Sequence, residues 1–337
     1  MRLLYIPVTI KIKEKNFKNF FKCFLYDIYI VLKNFSLNRK ITINTSGYID
    51  AAIHSNAYVL ELPYNFCIIF SKILNILFDG IFVNWKFTNY RGNKEDVEKK
   101  LLKLSKKFKI KKVIIDGRDQ SFAVIDDKIL EGFDYVIKRE KNKKITNKKY
   151  FTTILPCTLI DYKVLKNEEA LDWDKIGNSK PNENPKYDIF FSGLKTSKYR
   201  EEFNEFLHTK DYNFFGRTEN FKIPYDQYLS AIYNSSINLA FEGKGEFTFR
   251  HMEILGSCSF MMCQNSINEL ELPLPLIDGK HFITFKNKDD LLEKINFYLK
   301  NGKLRNEIAF NGRKVLEKYY SPKKHGELLI NKIFSND

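Results

Sequence analysis

The sequence predicts an α/β chain of two parallel-sheet units in series, on three observations. Short β-rich runs alternate with amphipathic helical runs in both halves. A polar, proline-bearing stretch without periodicity separates the halves. The length, 337 residues, exceeds what one hydrophobic core usually organises. A cleft between two such units is the natural place for a ligand.

In the first half RLLYIPVTI, KITINT, YVLEL, GIFVNW, KKVIIDG, DYVIK and FTTIL are the strand candidates, rich in β-branched and aromatic residues. Between GIFVNW and KKVIIDG, the run NKEDVEKKLLKLSKKFK repeats its apolar residues every three or four positions, as an amphipathic helix does. Strand, helix, strand implies parallel pairing. The N-terminal MRLLYIPVTIKIKEK reads as a first strand; it lacks the apolar run and cleavage site of a signal peptide. LPYNFCIIFSKILNILFDGIFVNW, Leu62 to Trp85, comes nearest to a membrane span, but Lys72, Asn75, Asp79 and Gly80 interrupt it. It reads instead as a buried helix, Cys67 to Phe78, followed by a strand, Ile81 to Trp85.

DWDKIGNSKPNENPK, residues 172–186, is the linker. Beyond it YDIFFSG is a strand, SKYREEFNEFLHT a helix, YNFFG a strand, IPYDQYLSAIYNS a helix and SINLAFEG a strand. FTFRHMEILGS is the next helix and CSFMMCQ and HFITF are strands. DDLLEKINFYLKNG, KLRNEIAFNGRKVLEKYY and SPKKHGELLINKIF are closing helices. The expected organisation is residues 1–171 as one Rossmann-like unit, 187–320 as a second facing it, and a last helix within 321–337 placed to pack back on the first.

A composition of 44% hydrophobic and 29% charged residues excludes extended disorder. With 56 Lys+Arg against 41 Asp+Glu the net charge is +15, which suits phosphate-bearing ligands and anionic surfaces. The lysines are scattered rather than blocked, so a nucleic-acid surface is not the favoured reading. The five cysteines, Cys23, Cys67, Cys157, Cys258 and Cys263, are far apart and set in apolar context, as buried thiols of a reducing, cytoplasmic compartment are.

A nucleotide diphosphate needs backbone N–H groups or cations at its phosphates and a carboxylate at its ribose. The turn after YDIFF supplies Ser192 and Gly193 and enters a helix that carries Lys195, Lys198 and Arg200. In FTFRHMEILGS, Arg250 and Glu253 stand three residues apart, on one helix face at about 5–6 Å spacing. Alone, such a pair is better read as a surface salt bridge. Beside the basic turn, Arg suits a phosphate and Glu a ribose diol. FEGKGEF adds Glu242, Gly243 and Gly245 after a strand, where parallel sheets gather ligands.

The order SGLKTSKYR, YNFFGRT, SINLAFEGKGEFTFRHMEILGSCSFMM, DGKHFITF and LRNEIAFNGRKVLEKYYS resembles the C-terminal domain of GT-B glycosyltransferases. It is most similar to the short group that includes bacterial surface-polysaccharide and spore-coat enzymes. The resemblance spans residues 187–320 and implies a GT-B fold, two facing Rossmann-like domains with a cleft between them. It implies that Arg250 meets the donor diphosphate and Glu253 the ribose, with Ser192, Gly193, Lys195, Arg200 and Gly216 completing the donor site. Glu246 and Glu253 are separated by six residues, which departs from the E-x7-E spacing of many retaining members, so inversion is expected.

An inverting enzyme needs a base for the acceptor hydroxyl. KKVIIDGRDQS places Asp116 and Asp119 just beyond a strand, in a segment that resembles the base-bearing T-D-I-R stretch of phage DNA β-glucosyltransferases. Asp119 is preferred and Asp116 stands as its alternative, with His54 in SGYIDAAIHSNAY the rival. The Asp172-Trp173-Asp174 triplet matches a metal-holding D-x-D but sits in the linker, so no metal and no cofactor is expected. The expected substrates are a UDP- or GDP-sugar and a glycan or glycolipid hydroxyl, with peripheral attachment to an anionic membrane left open. Modified DNA as acceptor, and binding without turnover, are the alternatives.

Overall fold

The computed structural model describes residues 1–6, 57–62, 64–85, 94–118, 120–152, 177–194, 196–216 and 223–335. His54, Asp119, Lys195 and the Asp172-Trp173-Asp174 triplet lie outside them.

The first sheet contains β1 (Arg2–Ile6), β2 (Tyr58–Glu61), β3 (Gly80–Asn84), β4 (Lys111–Asp116), β5 (Tyr135–Lys138) and, after the short β6 (Lys141–Asn142), β7 (Tyr150–Thr152). Its order is β2-β1-β3-β4-β5-β7 with every pair parallel. All five residues of β3 are buried, as expected of a parallel strand covered on both faces. The amphipathic run forms a helix, Lys94–Lys107, with Glu95 and Asp96 in its first turn and Lys106 and Lys107 in its last, which complements the helix dipole.

The segment read as one buried helix from Cys67 to Phe78 differs in the structure. It is two short helices, α1 (Tyr64–Ile69) and α2 (Ser71–Leu77), meeting at Phe70. Cys67, Leu74 and Phe78 face the core, whereas Ile69, Phe70, Ile73, Ile76 and Leu77 are exposed. The apolar run has no polar face, so periodicity could not distinguish a helix buried all round from one half in solvent.

The second sheet contains β8 (Tyr187–Phe190), β9 (Phe214–Phe215), β10 (Ser235–Ala240), β11 (Met261–Gln264) and, past the short β12 (Leu270–Glu271), β13 (Ile283–Phe285). Its order is β13-β11-β10-β8-β9, again all parallel. From β8 the chain goes to β9 on one side and later to β10 on the other. The strand order therefore reverses between β8 and β10, where open α/β sheets bind ligands beyond their carboxyl ends. The helices that frame this edge, numbered after the three of the first unit and a single turn at Asp127–Leu130 (α4), are α5 (Lys198–His208), α6 (Tyr225–Tyr233) and α7 (Phe249–Gly256).

The two sheets are tied at two places away from that edge. β6 and β12 pair antiparallel, with Lys141 and Glu271 ion-paired at 2.6 Å. After α8 (Lys288–Lys300) and α9 (Gly302–Tyr319), the last helix, α10 (Pro322–Phe334), returns to the first sheet. There Leu329, Ile330 and Ile333 share one core with Leu3, Phe82 and Phe151. The ring of Phe334 fills the space a side chain at residue 80 would need, with a Cβ there only 2.6 Å from its edge, which explains glycine at position 80.

Candidate functional site

At the reversal point three loops converge: the one after β8, the one after β10, and the start of α7. Arg250 is in the first turn of α7 and is nearly buried, 9% exposed. Its Nη2 donates to the Ser192 carbonyl, and its guanidinium lies over the Phe191 ring at 4.6 Å. Gly193 makes this possible, since a Cβ there would stand 2.6 Å from Nη2. Arg250 Nε and Nη1 are buried without a hydrogen-bond partner. Two charged donors without acceptors in such a place are costly unless a ligand completes them.

Glu253, one turn on, accepts a hydrogen bond from the Tyr228 hydroxyl at 2.8 Å. Tyr228 comes from α6 and is itself deeply set; burial pushes its phenol well above the ordinary range. Arg250 and Glu253 thus share a helix face, as their spacing predicts, with the Tyr228 phenol close to both charges.

Arg200, expected at the phosphates, has three of its N–H groups on backbone carbonyls. Its Nε donates to the Glu242 carbonyl at 2.8 Å, Nη1 to Leu194 at 3.1 Å and Nη2 to Phe241 at 3.1 Å. Burial first, then the charge of Arg250, lowers its pKa to about 10. Its guanidinium is thus engaged in clamping the β8 and β10 loops together, over Gly243, where a Cβ would lie 2.9 Å from Nη2. The helix it belongs to starts at Lys198 with Ser197 as its cap, so Ser192 and Gly193 precede it in an open loop rather than forming its first turn. Gly216, with φ +129°, packs its backbone against the Phe191 carbonyl in a space no side chain could share, and supports the end of β8. His251 is buried and stacks on Phe247 at 4.5 Å; its Nδ1 accepts from the Thr248 amide at 3.0 Å. Burial lowers its pKa to about 3, so the ring is neutral and caps the helix.

On the first unit, Asp116 ends β4 and is 1% exposed. Arg118 donates to both its oxygens at 2.8 Å, and Lys138, equally buried, donates at 3.0 Å. Burial alone would raise the carboxyl, but these two cations outweigh it and hold Asp116 below its ordinary value. A carboxylate bound so tightly is a poor proton acceptor at neutral pH. Lys138 also donates to the carbonyls of Ala123 and Gln120, which fixes the loop that leaves β4.

That loop reaches the second unit. Ser121 Oγ donates to Glu246 at 2.7 Å, and Arg139 Nη2 donates to the Phe247 carbonyl at 3.2 Å. Glu140, paired with Arg139, has its pKa raised by burial against the pull of that arginine. The carboxyl of Glu242 is likewise raised by burial, opposed by the Ser266 hydroxyl. Beside the Ser121–Glu246 contact opens a cavity of about 570 Å³, lined by Phe122, Asn142, Asn147, Tyr150, Glu246 and Glu269 among others. Tyr228, Ser121 and Arg139 escape a reading by sequence because each acts across a long separation and no local spacing marks it.

Residues 190–331 match a family model described as glycosyl transferase-like. No curated protein sequence is similar enough to match the chain. Among solved structures, Anabaena Alr3699/HepE, in complex with UDP and glucose, superposes with a TM-score of 0.55 at 9% identity over 100% of both chains. The lipopolysaccharide outer core galactosyltransferase WaaB, in its apo form, gives 0.54 at 12% identity over 99% of both. An alpha-glucosyltransferase in complex with UDP and a 13-mer DNA containing a central A:G mismatch gives 0.51 at 13% identity over 99% of both. At these identities the likeness is one of fold.

Proposed function

We propose that this chain, a glycosyltransferase of the GT-B fold that works from a nucleotide-sugar donor, moves the sugar to a hydroxyl of a cell-surface glycan, with inversion and without a metal ion. The observation that carries the donor assignment is the pair of buried, partnerless donors on Arg250, at the strand-order reversal of the second sheet. The diphosphate lies against Arg250 and the loop of Ser192 and Gly193, where the guanidinium neutralises the charge that grows on the leaving nucleotide. Glu253, held by Tyr228, takes the ribose hydroxyls.

The acceptor enters from the first unit through the cavity beside Ser121 and Glu246. An exposed Phe122 and the polar groups of Asn142, Asn147 and Glu246 give it the mix of aromatic face and hydrogen-bonding groups that a sugar needs. The acceptor hydroxyl gives its proton to the base as its oxygen bonds to the anomeric carbon. The bond from that carbon to the diphosphate oxygen breaks with its electron pair passing to the nucleotide. Of the two aspartates, Asp119 takes the proton in this reading. Asp116, already saturated by Arg118 and Lys138, positions the loop after β4.

A thermal-shift series with UDP, GDP and CMP tests the donor site, because a ligand that binds the folded state raises the melting temperature by mass action. Stabilisation by one nucleotide in the wild type and none in Arg250→Ala is the expected result; no response to any at millimolar concentration removes the reading. The anomeric configuration of the product, determined by NMR with and without EDTA, tests inversion and metal independence.

One observation favours modified DNA as acceptor instead, the net charge of +15. The cavity argues against it, because Asp127, Glu246 and Glu269 face a single Lys144 there. Tight, salt-dependent duplex binding would reverse that preference.

A further inference from the structure

The outward face of α1 and α2 is apolar and has no partner among the described residues. Ile69 is 62% exposed, Ile73 56% and Ile76 79%, with Phe70 and Leu77 beside them. Positions 69, 73, 76 and 77 recur at helical spacing, so they form one stripe rather than scattered exposures. The opposite face of the same segment, Cys67, Leu74 and Phe78, is buried in the first unit. A stripe of five large apolar side chains on one surface marks an interaction site.

The rim identifies its occupant. Asn75, at the edge of the stripe, bonds the Lys107 carbonyl at 3.0 Å and the Lys109 amide at 2.8 Å, which brings the end of the neighbouring helix alongside. Lys72, Lys106, Lys107 and Lys109 are all exposed there. The acidic residues of that helix, Glu95, Asp96 and Glu98, lie in its first half, away from this end, with Glu95 and Asp96 paired with Lys99 and Lys100. Asp79 is the one acid in the α2–β3 turn, and it accepts from the Arg2 amide at 2.7 Å.

We propose that this face docks the protein on an anionic lipid surface. α1 and α2 lie in the interface plane with Ile69, Ile73 and Ile76 inserted at the acyl boundary and the lysines at the headgroups. No helix among the described residues is long and apolar enough to cross a membrane. The attachment proposed is peripheral, with affinity shared between apolar insertion and charge. It is independent of the donor and acceptor assignments, since it needs no turnover.

Co-sedimentation of the full chain with vesicles of phosphatidylcholine alone, or with 30% phosphatidylglycerol (about one anionic lipid in three), tests it. The expected result is binding to the anionic vesicles that falls at least tenfold on raising the salt. It should also fall at least tenfold in the Ile73→Ser/Ile76→Ser variant and in Lys106→Gln/Lys107→Gln/Lys109→Gln. Because these side chains are exposed, the variants should melt with the wild type, and circular dichroism checks that. Equal binding to neutral vesicles, binding unchanged in the isoleucine variant, or no binding to either vesicle overturns the proposal. A dimer in sedimentation equilibrium that Ile73→Ser/Ile76→Ser dissociates also overturns it, by assigning the stripe to a second copy.

Discussion

Gly193 and Arg250 are fitted to one another: a Cβ at residue 193 would stand 2.6 Å from Nη2 of Arg250, and the bare backbone lets that nitrogen reach the Ser192 carbonyl. The glycine serves an arginine five elements later in the chain. It is required by that close approach, not by a left-handed turn.

Gly193→Ala therefore acts on the guanidinium. The methyl group forces Arg250 off the Ser192 carbonyl and moves Nε and Nη1 from the position at which the proposed diphosphate would meet them. Nucleotide affinity should fall about tenfold, the equivalent of about 1.4 kcal/mol. Isothermal titration with the stabilising nucleotide reads this directly, and an unchanged affinity would show that Arg250 can relax without loss.

Arg250→Met separates the cost of the buried charge from its use. In the absence of ligand the arginine holds two donors with no partner, and a buried charge so placed is destabilising. Methionine covers the Phe191 ring without that penalty, so the free protein should melt no lower than wild type. Nucleotide affinity should drop on the order of a hundredfold or more, from two lost charge-assisted hydrogen bonds of about 1.5–3 kcal/mol each. A variant that lost stability and kept affinity would make Arg250 a structural residue.

The α7 face was legible in the sequence because residues three apart on a helix share a side, and Arg250 and Glu253 do. The parallel sheets were legible from apolar runs alternating with amphipathic ones. Arg200 was legible in place and charge, but its three bonds to backbone carbonyls were not, because a sequence does not show how many donors of a guanidinium the backbone consumes. Tyr228 left no signal, since its tie to Glu253 joins residues 25 apart on different helices. The β6–β12 clasp is two residues on each side, too short for any period to reveal.

Tyr228→Phe tests the ribose assignment. Without the hydroxyl, Glu253 keeps its place on α7 but loses the bond that orients its carboxylate. The KM for the donor should rise several-fold while kcat changes little, as when binding common to ground and transition states is removed. A fall in kcat with constant KM would instead place Tyr228 and Glu253 at the reacting bond.

Asp116 predicts an acid-dependent stability. Its folded carboxyl titrates below its ordinary value, so the unfolded chain binds more protons through the acid range. The stabilisation is full above the unfolded value of about 4 and is lost as the pH falls through the lower, folded one. Asp116→Asn leaves Lys138, 1% exposed, without its counter-charge. It should cost about 3 kcal/mol at pH 7, as breaking a buried ion pair does. The difference from wild type should shrink as the pH is lowered below 4, where the unfolded chain's carboxyl takes up a proton that the native carboxylate still excludes. Urea unfolding of both proteins at pH 7 and pH 3 measures it, and a gap of equal size at both would mean that the charge of Asp116 does not stabilise the fold. If the variant also keeps measurable sugar transfer, Asp116 positions the loop rather than taking the proton; loss of all transfer in a folded variant would return it to the role of base.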